Sequence, residues 1–259
     1  LNYYSTKQTN ITYSFMKKLF ALLLLPSIAF AGKIGENYVG VELGTSNIDF
    51  TYAEAAGSVS TDGDGFSWAI SGNYNLYNAG TENYGLDLGL SYFNTSADDT
   101  ASDTGGTKWT TDTDLSVFSL ILRPYYDLGS FKIFADLGLF NQDIEIDIKH
   151  SSTDKASGDS SEFLYGVGFE LDLGEKFSIQ PSVAWTESPN LIVASGSTLL
   201  GSDTVTFAIP VSYRYSKNID ITASYSSVSN DDFVHSTTKT TKANSEPTST
   251  LAIGIDYKF

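Results

Sequence analysis

The two histidines are the first residues to consider for acid–base chemistry. Asp231 and Asp232 lie shortly before His235, while His150 stands among Lys, Ser and Thr residues. A catalytic histidine needs a nucleophile and an orienting carboxylate held beside it. No such set is visible in the sequence, so we predict no catalytic residue and no cofactor. An enzyme at the rim of the fold is kept as the second alternative.

Acidic residues gather at two places where calcium could bind. Asp62 and Asp64 belong to an Asp-Gly-Asp-Gly run, and Asp98, Asp99 and Asp103 lie in the next polar stretch. A calcium-binding loop of about twelve residues closes with a glutamate. No glutamate closes such a frame from Asp62. Solvated acidic loops are therefore the favoured interpretation, and no metal site is predicted.

The elements that must position such residues are β-strands. Apolar residues at 163, 165, 167, 169, 171 and 173 alternate with Gly166, Gly168, Glu170 and Asp172. This period of two recurs along the chain, and no segment carries a helical stripe. The pattern predicts an all-β chain of about ten strands, with eight as an alternative. The strands are residues 36–50, 66–77, 82–95, 113–127, 131–148, 162–173, 176–188, 203–216, 218–229 and 249–259.

The connections between these strands alternate in length. Four are tight turns, whereas residues 51–65, 96–112, 149–161, 189–202 and 230–248 are long and rich in Ser, Thr, Asp and Gly. Short turns at one end and long loops at the other are typical of transmembrane, antiparallel up-and-down β-barrels, whose long loops are extracellular. Two strands fit less well: 113–127 is apolar on both faces, and 131–148 changes parity after Leu139. The change predicts a bulge or a strand that continues beyond the membrane.

The start of the chain has the form of an export signal. Met16 is followed by two lysines, an apolar run from Leu19 to Leu25 and the small-residue site Ala29-Phe-Ala31. That order is typical of a cleaved signal peptide, and the run is too short for a membrane-spanning helix. We predict a signal peptide at 16–31, an upstream segment without a fold at 1–15, and a barrel at 32–259.

Composition supports an exported barrel and argues against other classes. The chain has no cysteine, which excludes a disulfide scaffold, and its net charge of −16 argues against nucleic acid as a partner. Aromatic residues concentrate near the predicted strand ends and predict two girdles at the bilayer interfaces. The girdle near the short turns includes Tyr74, Tyr77, Tyr84, Tyr125 and Tyr126. A soluble, secreted β-sandwich or lipocalin-like barrel is the competing interpretation, but the face opposite the apolar one is rich in Gly and Ser.

The last strand carries the clearest family resemblance. Residues 251–259 place apolar side chains at alternate positions and end in Tyr257 and Phe259. This resembles the C-terminal signal by which the barrel-assembly machinery recognises outer-membrane barrels, and the whole segment 32–259 resembles the small opacity-type and porin-like barrels. The resemblance implies location in the outer membrane of a Gram-negative envelope, contact with lipid and lipopolysaccharide, and an extracellular ligand as a further partner. It implies no substrate.

Eleven charged residues fall on the face that would line the lumen. Charges isolated from water are costly and therefore tend to pair. Seven acids and four bases predict a lumen plugged by ion pairs, in a protein with a structural or adhesin-like role, and a small cation-preferring pore is the first alternative. The eleven are Glu42, Asp87, Arg123, Lys132, Asp136, Glu170, Asp172, Arg214, Asp220, Asp256 and Lys258.

Overall fold

The computed structural model describes most of the segment that follows the predicted signal peptide. The described residues are 32–54, 57–78, 83–102, 108–149, 153–187, 191–193, 198–200, 203–230, 233–235, 242–245 and 248–259. The predicted segments 1–15 and 16–31 lie outside these ranges. No helix in the described part of the chain is long and apolar enough to cross a bilayer.

The described residues form fifteen β-strands, all paired with antiparallel neighbours. The first six are long and follow one another closely in the sequence. The strands are β1 (Tyr38–Glu54), β2 (Gly57–Asn78), β3 (Tyr84–Ser102), β4 (Lys108–Asp127), β5 (Phe131–Lys149), β6 (Thr153–Leu173), β7 (Phe177–Ile179), β8 (Ser182–Glu187), β9 (Leu191–Val193), β10 (Thr198–Leu200), β11 (Asp203–Arg214), β12 (Ile219–Asn230), β13 (Phe233–His235), β14 (Lys242–Ser245) and β15 (Thr248–Lys258).

The strands close into a barrel of ten wall positions. β1 to β6 pair in sequence order, and the ring closes through β11, β12 and β15, the last of which pairs with β1. The seventh position is shared by β7 and β8, which both pair with β6 and β11. Pro181 stands between them and cannot donate a backbone hydrogen bond to the ladder. The predicted ten-stranded up-and-down barrel is confirmed.

The barrel is taller than the sequence predicted, and its extra height lies at one end. We call the end where β1 begins and β15 finishes the terminal end, and the opposite end the far end. At the far end β9 pairs with β6, and β10, β13 and β14 continue the wall round to β1. This row of four short strands pairs with β6 on one side and with β1 on the other, because β1 and β6 extend well past β15 and β8 at the far end.

The long loops predicted at the far end are largely strand. Pairing between β1 and β2 continues to Glu54 and Gly57, and pairing between β3 and β4 continues to Ser102 and Lys108. β5 and β6 likewise reach residues 149 and 153. The prediction of loops at 51–65, 96–112 and 149–161 was therefore wrong over most of their length. Ser, Thr, Asp and Gly dominate there because both faces of these strands can be polar beyond a membrane, and not because the backbone is irregular.

The parity change in β5 marks no bulge. One register holds along the pairing of β5 with β4 and with β6. Leu139 and Asn141 are exposed on the outer face, and Phe140 and Gln142 are buried inside. The outer face turns polar where the strand leaves the apolar belt, which fits the second alternative, a strand that continues past the membrane. An irregularity occurs instead between β2 and β3, where the register shifts between Asn75 and Tyr77.

The outer wall is apolar and the inner wall is polar. On β11, Val205, Phe207 and Val211 are exposed, whereas Thr206 and Ser212 are buried. A soluble barrel would have the reverse arrangement, with apolar side chains inside. The same inversion recurs around the ring and gives the apolar belt of a wall that faces lipid.

Candidate functional site

The lumen is the candidate functional site because charged groups gather there. Eight of the eleven residues assigned to the lumen are buried, and Lys132, Asp172 and Arg214 are partly buried. Eight of the eleven also take part in ion pairs between described residues. Asp87 accepts the N–H of Gly35 at 2.9 Å and Asn75 Nδ2 at 2.7 Å, and Glu42 accepts the Ser224 hydroxyl at 3.2 Å.

Arg123 and Asp136 form the central ion pair of the lumen. Their strands, β4 and β5, are neighbours, and both side chains point inward. The guanidinium donates Nε to Oδ1 at 2.7 Å and Nη2 to Oδ2 at 3.0 Å. The guanidinium carbon also lies 4.4 Å from the ring centre of Phe134. Bidentate geometry and burial make this the best-formed pair in the described lumen.

Glu170 receives donors from three directions. Lys132 Nζ lies 2.6 Å from Oε1, and Gln180 Nε2 donates to Oε2 at 2.7 Å. The backbone N–H of Ile34 donates to the same Oε2 at 2.9 Å. The carboxylate is buried, but its charge is compensated by a lysine and by two N–H groups. Glu170 therefore ties the chain ahead of β1 to strands on the opposite side of the barrel.

A second ion-pair network lies at the terminal end. Glu36 accepts Arg214 Nη2 at 2.6 Å and lies 3.3 Å from Lys258 Nζ. Lys258 also donates to Asp220 at 2.9 Å. The network joins β11, β12 and β15 to a residue that precedes β1.

The residues just ahead of β1 lie inside the mouth of the barrel. We call residues 32–37 the N-terminal segment. Lys33 pairs with Asp172, and the carbonyl of Gly32 accepts Gln180 Nε2 at 2.8 Å. Ile34 packs with two lumenal aromatic residues, Tyr125 and Phe134. The segment thus contacts most of the wall positions from within, although the sequence had predicted strand from residue 36 and no lumenal role for residues 32–35.

Two further features hold the N-terminal segment in place. Gly35 has a φ of +82°, donates its N–H to Asp87 Oδ2 at 2.9 Å, and approaches the hydroxyl of Tyr125 so closely that a Cβ would lie 2.8 Å from it. At position 35 only glycine combines the positive φ with the close approach to Tyr125 without strain. The second feature is Asn73, which donates to the carbonyl of Glu36 at 2.9 Å.

Tyr125 is a correction to the predicted aromatic girdle. Its neighbour Tyr126 is exposed on the outer wall, but Tyr125 is buried inside the lumen. Asn75 Nδ2 donates to its hydroxyl at 3.1 Å. The ring fits because Gly85, on the adjacent strand, has no Cβ where the ring lies. The direction of the Tyr125 side chain is set by the alternation of inward and outward residues along β4. Its position near a turn does not determine that direction.

Apolar residues narrow the lumen between the Arg123–Asp136 ion pair and the far end. Phe93, Leu115, Val117 and Phe140 are buried at inward positions on β3, β4 and β5. They explain why the predicted strand 113–127 is apolar on both faces. A cavity of about 20 Å³ remains beside Glu42, which is room for about one water.

The acidic and histidine residues considered for calcium binding or catalysis lie on strands at the far end or fall outside the described residues. Asp62 and Asp64 lie on β2, Asp98 and Asp99 lie on β3, and Asp103 falls outside the described residues. His235 ends β13, while His150, Asp231 and Asp232 also fall outside them. In the described ranges no group of three or more His, Cys, Asp or Glu could hold a metal ion. Tyr257 and Phe259 are exposed on the outer wall, opposite the lumen.

Sequence reasoning missed the N-terminal segment and the neutral residues of the lumen. Gly32, Lys33, Gly35 and Glu36 follow the predicted cleavage site directly and show no period of two. A short polar stretch with two glycines between a signal and a strand was the available indication. Gln180 carried no such indication, because its position in the lumen depends on the break in the wall at Pro181.

Comparison with known proteins places this architecture in a family. The protein-family model for the outer membrane protein beta-barrel domain matches residues 19–188. No curated protein sequence matches the chain. The solved transport unit of the autotransporter AIDA-I from Escherichia coli is 12% identical with a TM-score of 0.62, covering 95% of this chain and 97% of that one. The outer membrane protease OmpT from Escherichia coli is 12% identical, with a TM-score of 0.49 and coverage of 87% and 97%. Ail, the attachment invasion locus protein of Yersinia pestis, is 12% identical, with a TM-score of 0.35 and coverage of 86% and 99%.

Proposed function

The chain belongs to the outer membrane protein β-barrel domain family and is an outer-membrane protein, and from that premise we propose that its lumen is closed and that its extracellular end carries its function. The terminal end is then periplasmic and the far end extracellular. The role is structural or adhesin-like, without catalysis. Cleavage after Ala31 is part of the proposal, and intact-mass spectrometry of the purified protein tests it by the presence of Gly32 as the first residue.

The observation that carries the proposal is the N-terminal segment in the periplasmic mouth. Its backbone and side chains bond to Asp87, Glu170, Asp172 and Arg214, which lie on strands from different sides of the ring. A segment held from several sides occupies the middle of the lumen. The Arg123–Asp136 pair and the apolar residues above it narrow the passage further, so a closed barrel is the economical interpretation.

The far end offers a polar outer surface for contacts outside the cell. Asp143 and Asp159 are direct partners on β5 and β6, and Asp114 and Glu145 are direct partners on β4 and β5. All four side chains are exposed. Like charges directly opposite each other cost stability, so these pairs are better explained by solubility or recognition than by folding. A basic or cation-bridged extracellular ligand is the partner that this surface fits.

Planar-bilayer conductance is the first test of the closed lumen. Protein purified from membranes and checked for heat-modifiable gel mobility is expected to give no steady conductance steps. Steady cation-selective steps would contradict the closed barrel and support the pore. The next step would then be to reverse, one at a time, the charges of four lumenal residues: Asp87, Asp136, Glu170 and Arg214. If none of the four changes altered the ion selectivity, these residues would not determine it.

Whole-cell binding tests the extracellular end. Ala97 pairs with Thr113, and Asp143 pairs with Asp159, so each hairpin can be cut at paired residues without changing the register below. Deletion of 98–112 or of 144–158, with a short turn joining the ends, is expected to reduce binding to host or abiotic surfaces while the barrel still folds. The matched control is a substitution within a periplasmic turn, Gly129→Ala. Unchanged binding after each extracellular truncation would contradict the adhesin-like role.

A further inference from the structure

The Asp256 carboxylate lacks a counter-charge in the lumen. Asp256 is 1% exposed, and neither of its carboxylate oxygens has a hydrogen-bond partner among the described residues. Its side chain leans across β1, where its Cγ lies 3.1 Å from the position that a Cβ of Gly40 would take. Its direct partner on β12 is Asp220, which carries the same charge. A buried carboxylate in this setting requires a compensating group.

The basic side chains of this part of the lumen are engaged with other acids. Lys258 follows Asp256 by two residues on β15, but its ammonium donates to Asp220 at 2.9 Å. Arg123 is held by both of its hydrogen bonds to Asp136. The described side chains therefore leave Asp256 without an ion pair, and the compensating cation is to be sought on the backbone.

The backbone of Gly32 lies in the same part of the lumen. Gly32 is buried, and a Cβ at this position would overlap the ring of Tyr38, so its backbone lies directly against that ring. Tyr38 is an inward residue of β1, two residues before the Gly40 position over which Asp256 leans. The N–H of Gly32 approaches the Tyr38 hydroxyl without completing a hydrogen bond, and the charge of Asp256 acts on that hydroxyl more strongly than any other charge does. The nitrogen of Gly32 and the carboxylate of Asp256 are therefore both close to one hydroxyl group.

We propose that the α-ammonium group of Gly32, formed when the signal peptide is removed, binds the Asp256 carboxylate inside the lumen. This inference rests on the cleavage after Ala31 proposed above. A signal peptidase hydrolyses the Ala31–Gly32 bond with one water, which leaves a carboxylate on Ala31 and an amine on Gly32. The amine takes up a proton at neutral pH.

Cleavage then changes what position 32 offers to the carboxylate. In the precursor the nitrogen of Gly32 is a neutral amide with one hydrogen, whereas in the mature protein it is an ammonium with three donors. An ammonium supplies both the missing charge and the donors that a buried carboxylate needs. The N-terminal segment is therefore held more firmly in the mature protein than in the precursor, so the removal of the signal completes the closure of the mouth.

Urea unfolding in lipid vesicles tests the pair in a double-mutant cycle. The mature protein, purified from membranes, is compared with Asp256→Asn, with a Gly-Ser-Gly-Ser insertion between Ala31 and Gly32, and with both changes together. The insertion keeps the predicted cleavage site and moves the amine by up to about 14 Å. With the native N-terminus, Asp256→Asn is expected to raise the unfolding equilibrium constant at least about tenfold, because the ammonium loses its partner. After the insertion, Asp256→Asn is expected to leave the constant unchanged or to lower it, because it removes a carboxylate that is already unpaired.

The matched control is Asp136→Asn, because Asp136 is also a buried acid but its partner Arg123 belongs to the wall. This control is expected to raise the unfolding constant by the same factor with either N-terminus. Equal effects of Asp256→Asn with the two N-termini would overturn the pair. Intact mass is measured first: a first residue other than Gly32 would contradict the cleavage and the pair together, whereas Gly32 with equal effects would contradict the pair alone. Conductance does not enter this readout, so the closed lumen is tested separately.

Amine labelling tests the pair if Asp256→Asn lacks the heat-modifiable mobility of a folded barrel. A succinimidyl ester at pH 7 is expected to acylate the Gly32 amine at least about tenfold more slowly than the amine of the folded insertion variant, because a nearby carboxylate favours the protonated, unreactive form. Peptide mass spectrometry measures both rates against Lys217, which is exposed in a periplasmic turn. Equal rates for the two amines, relative to Lys217, would overturn the proposal.

Discussion

The Arg123→Met variant is expected to lose about 3–5 kcal/mol of unfolding free energy, because it leaves Asp136 buried without its ionic partner. Methionine keeps much of the volume of the arginine side chain, so the loss reports the missing charge more than a cavity. Arg123 and Asp136 are 7% and 6% exposed and form two charge-assisted hydrogen bonds. Urea unfolding of the barrel in lipid vesicles, followed by tryptophan fluorescence, measures the difference.

Two further variants separate the buried charge from other effects. Arg123→Met/Asp136→Leu removes both charges and is expected to recover most of the lost stability, since replacing a whole buried pair with apolar groups is often neutral. Arg214→Met breaks the ion pair between Arg214 and Glu36, and both of these side chains are about one-third exposed. This variant is expected to lose no more than about 1 kcal/mol of unfolding free energy. Equal losses in Arg123→Met and Arg214→Met would contradict the central place given to the Arg123–Asp136 pair.

The barrel was predictable from the sequence because a wall between lipid and a polar lumen imposes a strict period of two. β11 illustrates this: its apolar residues alternate with Thr and Ser along Asp203–Arg214, and the predicted strand at 203–216 differs from it by two residues at one end. The turns at the terminal end were also predictable, because the alternation along β4 and β6 stops shortly before a glycine. Both of these glycines, Gly129 and Gly174, have a positive φ.

The far end was not predictable by the same reasoning. Beyond the membrane both faces of a strand can be polar, so the period that identifies a strand disappears while the backbone pairing continues. Asp98 pairs with Asp112 in a regular ladder, although Asp, Ser and Gly have low strand propensity. Pairing with a neighbour overrides local propensity here, and composition alone cannot distinguish such a strand from a loop.

Parity placed the charged residues on the inner wall but could not choose their partners. Arg123 and Asp136 sit on adjacent strands, and their pairing follows from a shared hairpin. Lys33 and Asp172 are 139 residues apart and meet only because the N-terminal segment turns into the lumen. The stagger of strands around the ring and the path of residues 32–37 are tertiary features, and neither leaves a period in the sequence.

The Gly35→Ala variant is expected to release the N-terminal segment from the lumen and to expose Ile34 about a hundredfold more often. Alanine at a φ of +82° costs about 1–2 kcal/mol, and its Cβ would lie 2.8 Å from the Tyr125 hydroxyl, which adds about 1–3 kcal/mol. A combined cost of about 3 kcal/mol corresponds to roughly a hundredfold change in the open population. The chain has no cysteine, so a single Ile34→Cys substitution reports that population through its rate of maleimide labelling.

Gly174→Ala, in the same Ile34→Cys background, isolates the contribution of the lumen. Gly174 has a φ of +81°, nearly that of Gly35, but no atom lies within 4 Å of the position of its Cβ. The backbone strain is therefore matched, while the contact with Tyr125 and the link to the N-terminal segment are absent from the control. Ile34 is 2% exposed, so labelling is expected to be slow in Ile34→Cys alone, slow with Gly174→Ala and fast with Gly35→Ala. Fast labelling in Ile34→Cys alone would mean that the segment does not stay in the mouth. Equal rates with Gly35→Ala and Gly174→Ala would mean that Gly35 does not hold it there.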